Sequence, residues 1–247
     1  MTATHHFCLL HGFTQTATSW TRPLDALRAF FPAATFSTPG MPGHGGGGNL
    51  PIDLDAGVRA IAEHEPPAIW IGYSMGGRYL LHLATTRPSA IQAMVLVSTT
   101  AGIDDERERA ARRTSDDELA STIERDGVDA FLERWLALPM FEQLPNDEPE
   151  RQARRSNTVE GLAASLRIAG TGAQRPLWKE LSACRIPTLI ITGSNDTKFC
   201  ELGDRLADTL TLSTRVTIDH AGHAAHLEQP STFAHAVAEW LTTQDLM

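Results

Sequence analysis

Residues 72–78 read Gly-Tyr-Ser-Met-Gly-Gly-Arg (GYSMGGR) and place Ser74 between two glycines, directly after the apolar run 68–71. They fit G-x-S-x-G, in which a strained strand-to-helix turn pushes the serine hydroxyl outward and the glycines avoid clashes. Because this pattern is short, it also arises by chance in unrelated sequences. Here a β-rich run precedes it and an amphipathic helical pattern follows it, which strengthens the prediction. We therefore expect Ser74 at the tip of a strand–turn–helix unit. Arg78 is harder to explain, since a cation in the first helical turn faces the positive end of the helix dipole, at a cost of about a few tenths of a kcal/mol.

Short β-type runs alternate with longer helical patterns on both sides of this stretch. Such alternation is typical of an α/β fold with a mostly parallel central sheet flanked by helices. The predicted strands are residues 6–10, 34–37, 68–73, 93–98, 187–192 and 214–219. The predicted core helices are residues 20–30, 54–64, 75–86, 199–210 and 231–241.

Residues 102–181 interrupt this alternation, because they carry helical patterns but no convincing strand. An insertion before the last two strands would lie over the crevice where open α/β sheets bind ligands. We predict a core of residues 1–101 and 182–247 with a helical lid of residues 102–181, together one structural domain. The alternative is a packed helical layer with no role in binding. The helical patterns in the lid cover residues 118–124, 128–138 and 158–169.

Composition and charge exclude several classes of protein. The 247 residues are 42% hydrophobic and 21% charged, as in ordinary globular proteins. The formal net charge of −9 argues against nucleic acid or an anionic membrane surface as a partner. Cys8, Cys184 and Cys200 form neither a CxxC pair nor a disulfide framework. With no signal-peptide pattern and no apolar run near the roughly 20 residues of a membrane span, we expect a cytoplasmic protein.

An acid and a base follow the later predicted strands. Strand 187–192 leads into Asp196, and strand 214–219 leads into His223. The order Ser, Asp, His along the chain is that of the α/β-hydrolase fold. We expect His223 to activate Ser74 and Asp196 to hold His223 in the right tautomer and orientation.

Two other acidic residues are alternatives for the triad acid, and a cluster of histidines around His223 is an alternative as a metal site. Asp104 and Asp219 also follow strands, but Asp196 after a buried strand has the better predicted geometry. His220 and His226 flank His223 in the pattern H-x-x-H-x-x-H. A glycine interrupts the string and no carboxylate lies at metalloenzyme spacing, so we predict no metal site.

The loop after the first strand predicts an oxyanion hole. His11-Gly12-Phe13 would aim the backbone N–H of Phe13 at a developing oxyanion, together with the N–H of Met75. We expect the His11 side chain only to pack and brace the turn. The glycine run 43–48 lacks a following G-K-[ST], so we interpret it as a flexible loop and predict no nucleotide cofactor.

Arginines are the remaining candidates for substrate contacts, because a Ser-His-Asp set by itself does not define a reaction. Single arginines in such runs are often only part of a solvated face. The candidates are Arg78, Arg107, Arg109, Arg112, Arg113, Arg154 and Arg155.

Nearly the whole chain resembles the 2-succinyl-6-hydroxy-2,4-cyclohexadiene-1-carboxylate synthases of menaquinone biosynthesis. The likeness runs through GYSMGGR, ERAARR, RWLALPMF, RRSNT, LRIAGTGAQRPLW and TGSNDTKF. Its more specific parts are the arginine after the elbow, W…PMF, RRSNT, GTGAQ…LW and DTKF. LLHGFTQTATSW, PGHG and AGHAAHLEQP are shared with many α/β-hydrolases. Unlike many of those proteins, this chain begins its first strand almost at Met1, which predicts a sheet without an extra antiparallel hairpin.

The resemblance implies a lyase on a hydrolase fold. Such an enzyme removes a proton from a succinyl-cyclohexene and expels pyruvate from its enolpyruvyl ether, with Ser74 as the proton acceptor and no cofactor. Arginines bind carboxylates through a planar, permanently charged fork, which suits a polycarboxylate substrate. The matching motif positions imply substrate contacts by Arg78, Arg112, Arg155, Tyr73 and Trp135. Arg109 and Arg113 stay alternatives to Arg112, because the helical register is open.

Two other functions remain as alternatives. One is a serine hydrolase of esters, thioesters or carbon–carbon bonds, with Ser74 as a nucleophile. The other is a non-catalytic binding protein, which the complete triad disfavours. We expect a small polycarboxylate substrate as the ligand, and no nucleic acid, membrane or metal as a partner. The protein is expected to be a monomer or a small homo-oligomer.

Overall fold

A computed structural model describes residues 5–45, 52–145 and 147–244. Residues 46–48 of the glycine run therefore lie outside the described residues. The strands are β1 (His6–Leu10), β2 (Thr35–Ser37), β3 (Ala68–Tyr73), β4 (Ile91–Val97), β5 (Thr188–Gly193) and β6 (Ser213–Ile218). The helices are α1 (Thr21–Phe30), α2 (Leu54–Ala62), α3 (Met75–Thr86), α4 (Glu106–Leu136), α5 (Glu148–Arg154), α6 (Val159–Ala169), α7 (Trp178–Leu181), α8 (Thr197–Thr209), α9 (Ala225–Glu228) and α10 (Pro230–Thr243).

The six strands form one sheet in the order β2-β1-β3-β4-β5-β6, and every pair is parallel. Because all strands point the same way, the loops after β1, β3, β4, β5 and β6 meet at one edge. The strand order reverses between β1 and β3, which is where open α/β sheets bind ligands. The predicted fold is confirmed, with a sheet that is wholly parallel across the described strands.

Both faces of the sheet are covered, so β3 and β5 are buried along their whole length and read as apolar runs. On one face of the sheet, α2, α3 and α8 pack in an apolar cluster that contains Trp70, Tyr79 and Leu206. On the other face, α1 and α10 pack in a cluster that contains Trp20 and Phe233. No helix in the described part of the chain is both long and apolar enough to cross a membrane.

The insertion between β4 and β5 contains α4, α5, α6 and α7. Within it, Ile123, Phe131 and Leu162 form a separate apolar cluster joining α4 to α6, with Phe13 of the core packed against it. The last part differs, because Leu177, Trp178 and Leu181 belong to the core cluster beside α3. The division of the chain into core and lid stays a prediction.

Candidate active site

Ser74 occupies the tight turn between β3 and α3. Its φ of 49° and ψ of −105° are sparsely populated, at a cost of roughly 1–3 kcal/mol. The glycines permit the turn: a Cβ on Gly72 would lie 2.7 Å from the backbone of Gly77, and one on Gly76 would lie 2.1 Å from the Leu10 carbonyl oxygen. The surrounding packing therefore holds the serine at the end of β3.

The structure brings Ser74, His223 and Asp196 into one hydrogen-bonded chain. His223 Nε2 lies 3.1 Å from Ser74 Oγ, and His223 Nδ1 lies 2.6 Å from Asp196 Oδ2. An ionised carboxylate only accepts, so Nδ1 donates to Asp196 and Nε2 is left to accept the serine proton. Asp196 also caps α8 by accepting the N–H of Phe199 at 3.4 Å. The arrangement can move a proton from a substrate to His223 through Ser74.

The alternative acids and histidine do not take part in the hydrogen-bonded chain of Ser74, His223 and Asp196. Asp104 pairs with Arg205 at the surface, and Asp219 is exposed. His226 is fully buried with its ring against Tyr73 at 4.4 Å, and burial lowers its pKa to about 3. Among the described residues no group of three or more His, Cys, Asp or Glu side chains has the arrangement of a metal site.

The turn after β1 brings the Phe13 amide to the same edge. Gly12 N–H donates to Gln15 Oε1 at 2.8 Å and Gln15 N–H donates to the Gly12 carbonyl at 3.2 Å, which closes the turn. Within the described protein, neither Phe13 N–H nor Met75 N–H donates to another group. His11 braces the turn by donating to the Gly12 carbonyl at 2.9 Å.

A cavity of about 360 Å³ opens beside Ser74, between the sheet edge and the helices inserted between β4 and β5. Although the chain is acidic overall, the charged groups that line this cavity apart from the triad are four basic side chains and one acidic one. They are Arg78, Arg112, Arg154, Lys198 and Asp116. The cavity therefore suits an anionic ligand. A larger cavity of about 890 Å³ lies behind Phe141, which lines both.

Arg78 and Arg112 both reach the catalytic cavity. Arg78 is nine-tenths buried and donates to the Ala169 carbonyl at 2.5 Å, and burial lowers its pKa to about 10, so that it stays charged at neutral pH. Arg112 pairs with Asp116 at 2.7 Å and is 40% exposed. The neighbouring Arg109 and Arg113 pair instead with Glu106 on the outer face of α4. Arg112 is therefore the member of this group that faces the cavity.

The predicted position of Arg155 needs correction. Arg155 lies outside the cavity and pairs with Glu148 at 3.0 Å at the protein surface. Arg154 lines the cavity in its place, with its side chain 2% exposed, and bonds to Glu150 at 2.7 Å and Thr14 Oγ1 at 2.5 Å. Consecutive residues on a helical turn point about 100° apart, so a shift of one position exchanges an inward arginine for an outward one.

Tyr73 and Trp135 both line the cavity. The Tyr73 ring lies 5.4 Å from that of His223, and burial raises the pKa of its phenol. Trp135 packs its ring against Phe13 at 5.4 Å, and its buried Nε1 has no acceptor among the described residues.

Several further side chains line the cavity without having been predicted as site residues. Lys198 and Phe199 follow Asp196 directly, and their place in the TGSNDTKF motif was an available signal. Gln15 and Met140 carry no pattern that marks them as functional. The residues in question are Gln15, Met140, Phe141, Lys198 and Phe199.

The parallel sheet and the Ser74–His223–Asp196 triad together indicate an α/β-hydrolase. The model of the alpha/beta hydrolase family matches residues 9–236, and the chain belongs to that family. An esterase from Thermogutta terrifontis, 24% identical and with a TM-score of 0.76 over 97% of this chain and 90% of that one, supports the fold alone.

Within this class the chain belongs to the 2-succinyl-6-hydroxy-2,4-cyclohexadiene-1-carboxylate synthases. It is 30% identical to the synthase of Salmonella schwarzengrund (strain CVM19633) over 242 residues, which are 94% of this chain and 92% of that protein. A Bacillus subtilis (strain 168) relative is 40% identical over 178 residues, but the match spans only 65% of that relative and 70% of this chain. The solved structure of MenH from S. aureus is 28% identical, with a TM-score of 0.91 over 98% of this chain and 96% of that one.

Proposed function

We propose that the protein is a carbon–oxygen lyase of menaquinone biosynthesis. It eliminates pyruvate from 2-succinyl-5-enolpyruvyl-6-hydroxy-3-cyclohexene-1-carboxylate and yields 2-succinyl-6-hydroxy-2,4-cyclohexadiene-1-carboxylate. The relatives named as this synthase support the proposal. The observation that carries it is a single cavity in which Ser74, hydrogen-bonded to His223, meets the guanidinium groups of Arg78, Arg112 and Arg154.

The proposed reaction begins with proton removal. Ser74 Oγ takes a ring proton while His223 Nε2 takes the serine proton, so that the imidazole becomes charged beside Asp196. The carbon–hydrogen electron pair at C2 forms a C2–C3 double bond, the existing C3–C4 double bond shifts to C4–C5, and the bond from C5 to the enolpyruvyl oxygen breaks. The released enolate takes up a proton and becomes pyruvate. No acyl-enzyme forms, and no electrons leave the substrate, so this route needs no redox cofactor.

The remaining cavity residues hold the substrate and its developing charge. Arg78, Arg112 and Arg154 clamp carboxylates, because a guanidinium binds them bidentately. The N–H groups of Phe13 and Met75 stabilise negative charge that develops on a substrate oxygen during proton removal. Tyr73 and Trp135 form the walls. A cytoplasmic location and a monomeric or small homo-oligomeric state stay predictions.

The test offers the purified protein its enolpyruvyl cyclohexene substrate. Pyruvate is followed with lactate dehydrogenase and the diene by its absorbance, against a protein-free reaction and a Ser74→Ala variant. We expect equal amounts of both products, with the variant close to the protein-free rate. Absence of pyruvate together with fast turnover of activated esters would contradict the proposal and favour the serine hydrolase.

A further inference from the structure

One carboxylate holds the backbone on both sides of His223. Glu228 Oε2 accepts the N–H of Gly222 at 2.5 Å, and Glu228 Oε1 accepts the N–H of Ala224 at 3.0 Å. Glu228 itself lies at the end of the one-turn helix α9, half-buried, four residues beyond the second of these amides. Each carboxylate oxygen is therefore committed to one neighbour of the catalytic histidine.

The local sequence explains why this contact forms. The first N–H groups of a helix have no partner inside the helix, and this holds for the N–H of Ala224, the N-cap of α9. Glu228 reaches back to satisfy the N–H of Ala224, as the glutamate of a capping box does. Gly222 lets the carboxylate approach, because a Cβ there would lie 3.3 Å from both carboxylate oxygens.

His223 depends on its loop for alignment. Its imidazole must hold bonds of 2.6 Å to Asp196 and 3.1 Å to Ser74 at the same time, so a backbone shift of about 1 Å would break one of them. We propose that Glu228 is a positioning residue that fixes His223 between Asp196 and Ser74, and that its negative charge stabilises the imidazolium formed when His223 takes the proton. The proposal rests on the proposed function insofar as His223 is the final proton acceptor there.

Other charged or titratable groups surround His223. Burial raises the pKa of the Glu228 carboxyl, while its hydrogen bonds to Gly222 and Ala224 and the charge on His223 act in the opposite direction. Glu228 is thus a second acidic group, after Asp196, that acts on this histidine. The groups around it are Asp196 at the N-cap of α8, Lys198 from α8, Glu228 and His226 from α9, Tyr73 from β3 and Arg154 from α5.

The Glu228→Gln variant tests both parts of the proposal. Glutamine has one acceptor oxygen, so one of the two N–H groups loses its partner and faces an NH₂ group. We expect kcat for pyruvate release to fall about 10- to 100-fold, with KM within about twofold, because misplacement of a base by about 1 Å costs on the order of 100-fold. Loss of the charge should move the acid limb of the kcat/KM profile to lower pH by roughly half a unit. Glu239→Gln, an exposed change on α10, should alter neither.

A substrate-free measurement separates this proposal from the assigned reaction. The proton of the 2.6 Å bond between His223 Nδ1 and Asp196 should give a downfield ¹H NMR signal in the unliganded wild type. We expect this signal to shift or broaden in Glu228→Gln, whether or not the enzyme releases pyruvate, and to persist in Glu239→Gln. An unchanged signal, with an unchanged acid limb and a kcat that falls only with the folded fraction, would overturn the positioning role.

Discussion

Arg78 is bound to the lid on one side and open to the cavity on the other. Its guanidinium donates to the carbonyl of Ala169, the last residue of α6. Carbonyls at a helix C-terminus lack partners within the helix and carry partial negative charge, so a buried cation is favourable there. The unfavourable place of Arg78 in the first turn of α3 is thereby offset, and the side chain links α3 to the lid.

The Arg78→Ala variant should lose most of its elimination activity. We propose that Arg78 holds a substrate carboxylate, and removing one partner of such a buried charge pair costs about 2–5 kcal/mol, so we expect kcat/KM for pyruvate release to fall at least about 30-fold. Arg107→Ala, an exposed arginine on α4, should keep wild-type activity. Near-normal pyruvate release by Arg78→Ala would contradict the carboxylate clamp.

Arg154 and Arg155 form a matched pair in which one step along the chain separates a buried from an exposed guanidinium. Arg154→Ala should lower the free energy of unfolding by up to about 3 kcal/mol, because it leaves Glu150 without its cation, and should also weaken substrate binding. Arg155→Ala should change stability by less than about 0.5 kcal/mol, because its ion pairs are exposed. Urea unfolding and the KM for pyruvate release measure both effects. Equal losses in the two variants would contradict the inward position of Arg154.

The strands and the elbow were predictable because each carries a pattern with a physical cause. Buried parallel strands such as β3 and β5 read as apolar runs, and Ser74 and Asp196 each follow such a strand. His223 follows β6, an edge strand that is only partly buried. The glycines of the elbow mark backbone approaches that no side chain permits. Element type and order therefore followed from local sequence.

The lid was less predictable, because its residues take their orientation from tertiary contacts. The sequence left open which of Arg109, Arg112 and Arg113 faces the substrate, because the helical register was not fixed. In the structure they lie in the first turns of α4, and of the three only Arg112 lines the cavity. Two identical side chains at 154 and 155 give no signal of which one points inward. The short helices α5 and α7 carry too few turns for a periodic pattern.

Gly127 divides α4 into two helical segments. Its φ of 81° and ψ of 170° lie in a region that is essentially restricted to glycine, and a Cβ there would meet nothing within 4 Å. Gly127→Ala should therefore lower the free energy of unfolding by roughly 1–3 kcal/mol through backbone strain alone. Thermal unfolding measures the loss, with the exposed Ser121→Ala on the same helix as the control. A Gly127→Ala protein as stable as the wild type would show that the break in α4 is not fixed by this residue.

Three buried histidines link the stability of the whole molecule to pH. His11, His44 and His226 are nearly inaccessible to solvent, and burial lowers their pKa values to about 3, 4 and 3. In the unfolded chain these imidazoles take up protons as the pH falls below about 6.5, whereas in the folded chain they stay neutral down to about pH 4. The unfolded state then binds more protons, so the free energy of unfolding decreases as the pH falls through this window.

We expect the free energy of unfolding to fall by about 4 kcal/mol per pH unit near pH 5 from these three groups together, since each proton contributes about 1.4 kcal/mol per unit. His226→Phe should reduce this slope by about one third. A phenyl ring suits the site, because both ring nitrogens of His226 lack partners among the described residues and the ring packs against Trp20 and Tyr73. Urea unfolding between pH 6.5 and 5 measures the slope, and His235→Gln, an exposed change on α10, should leave it unchanged. An unaltered slope in His226→Phe would show that this histidine takes up its proton in the folded protein.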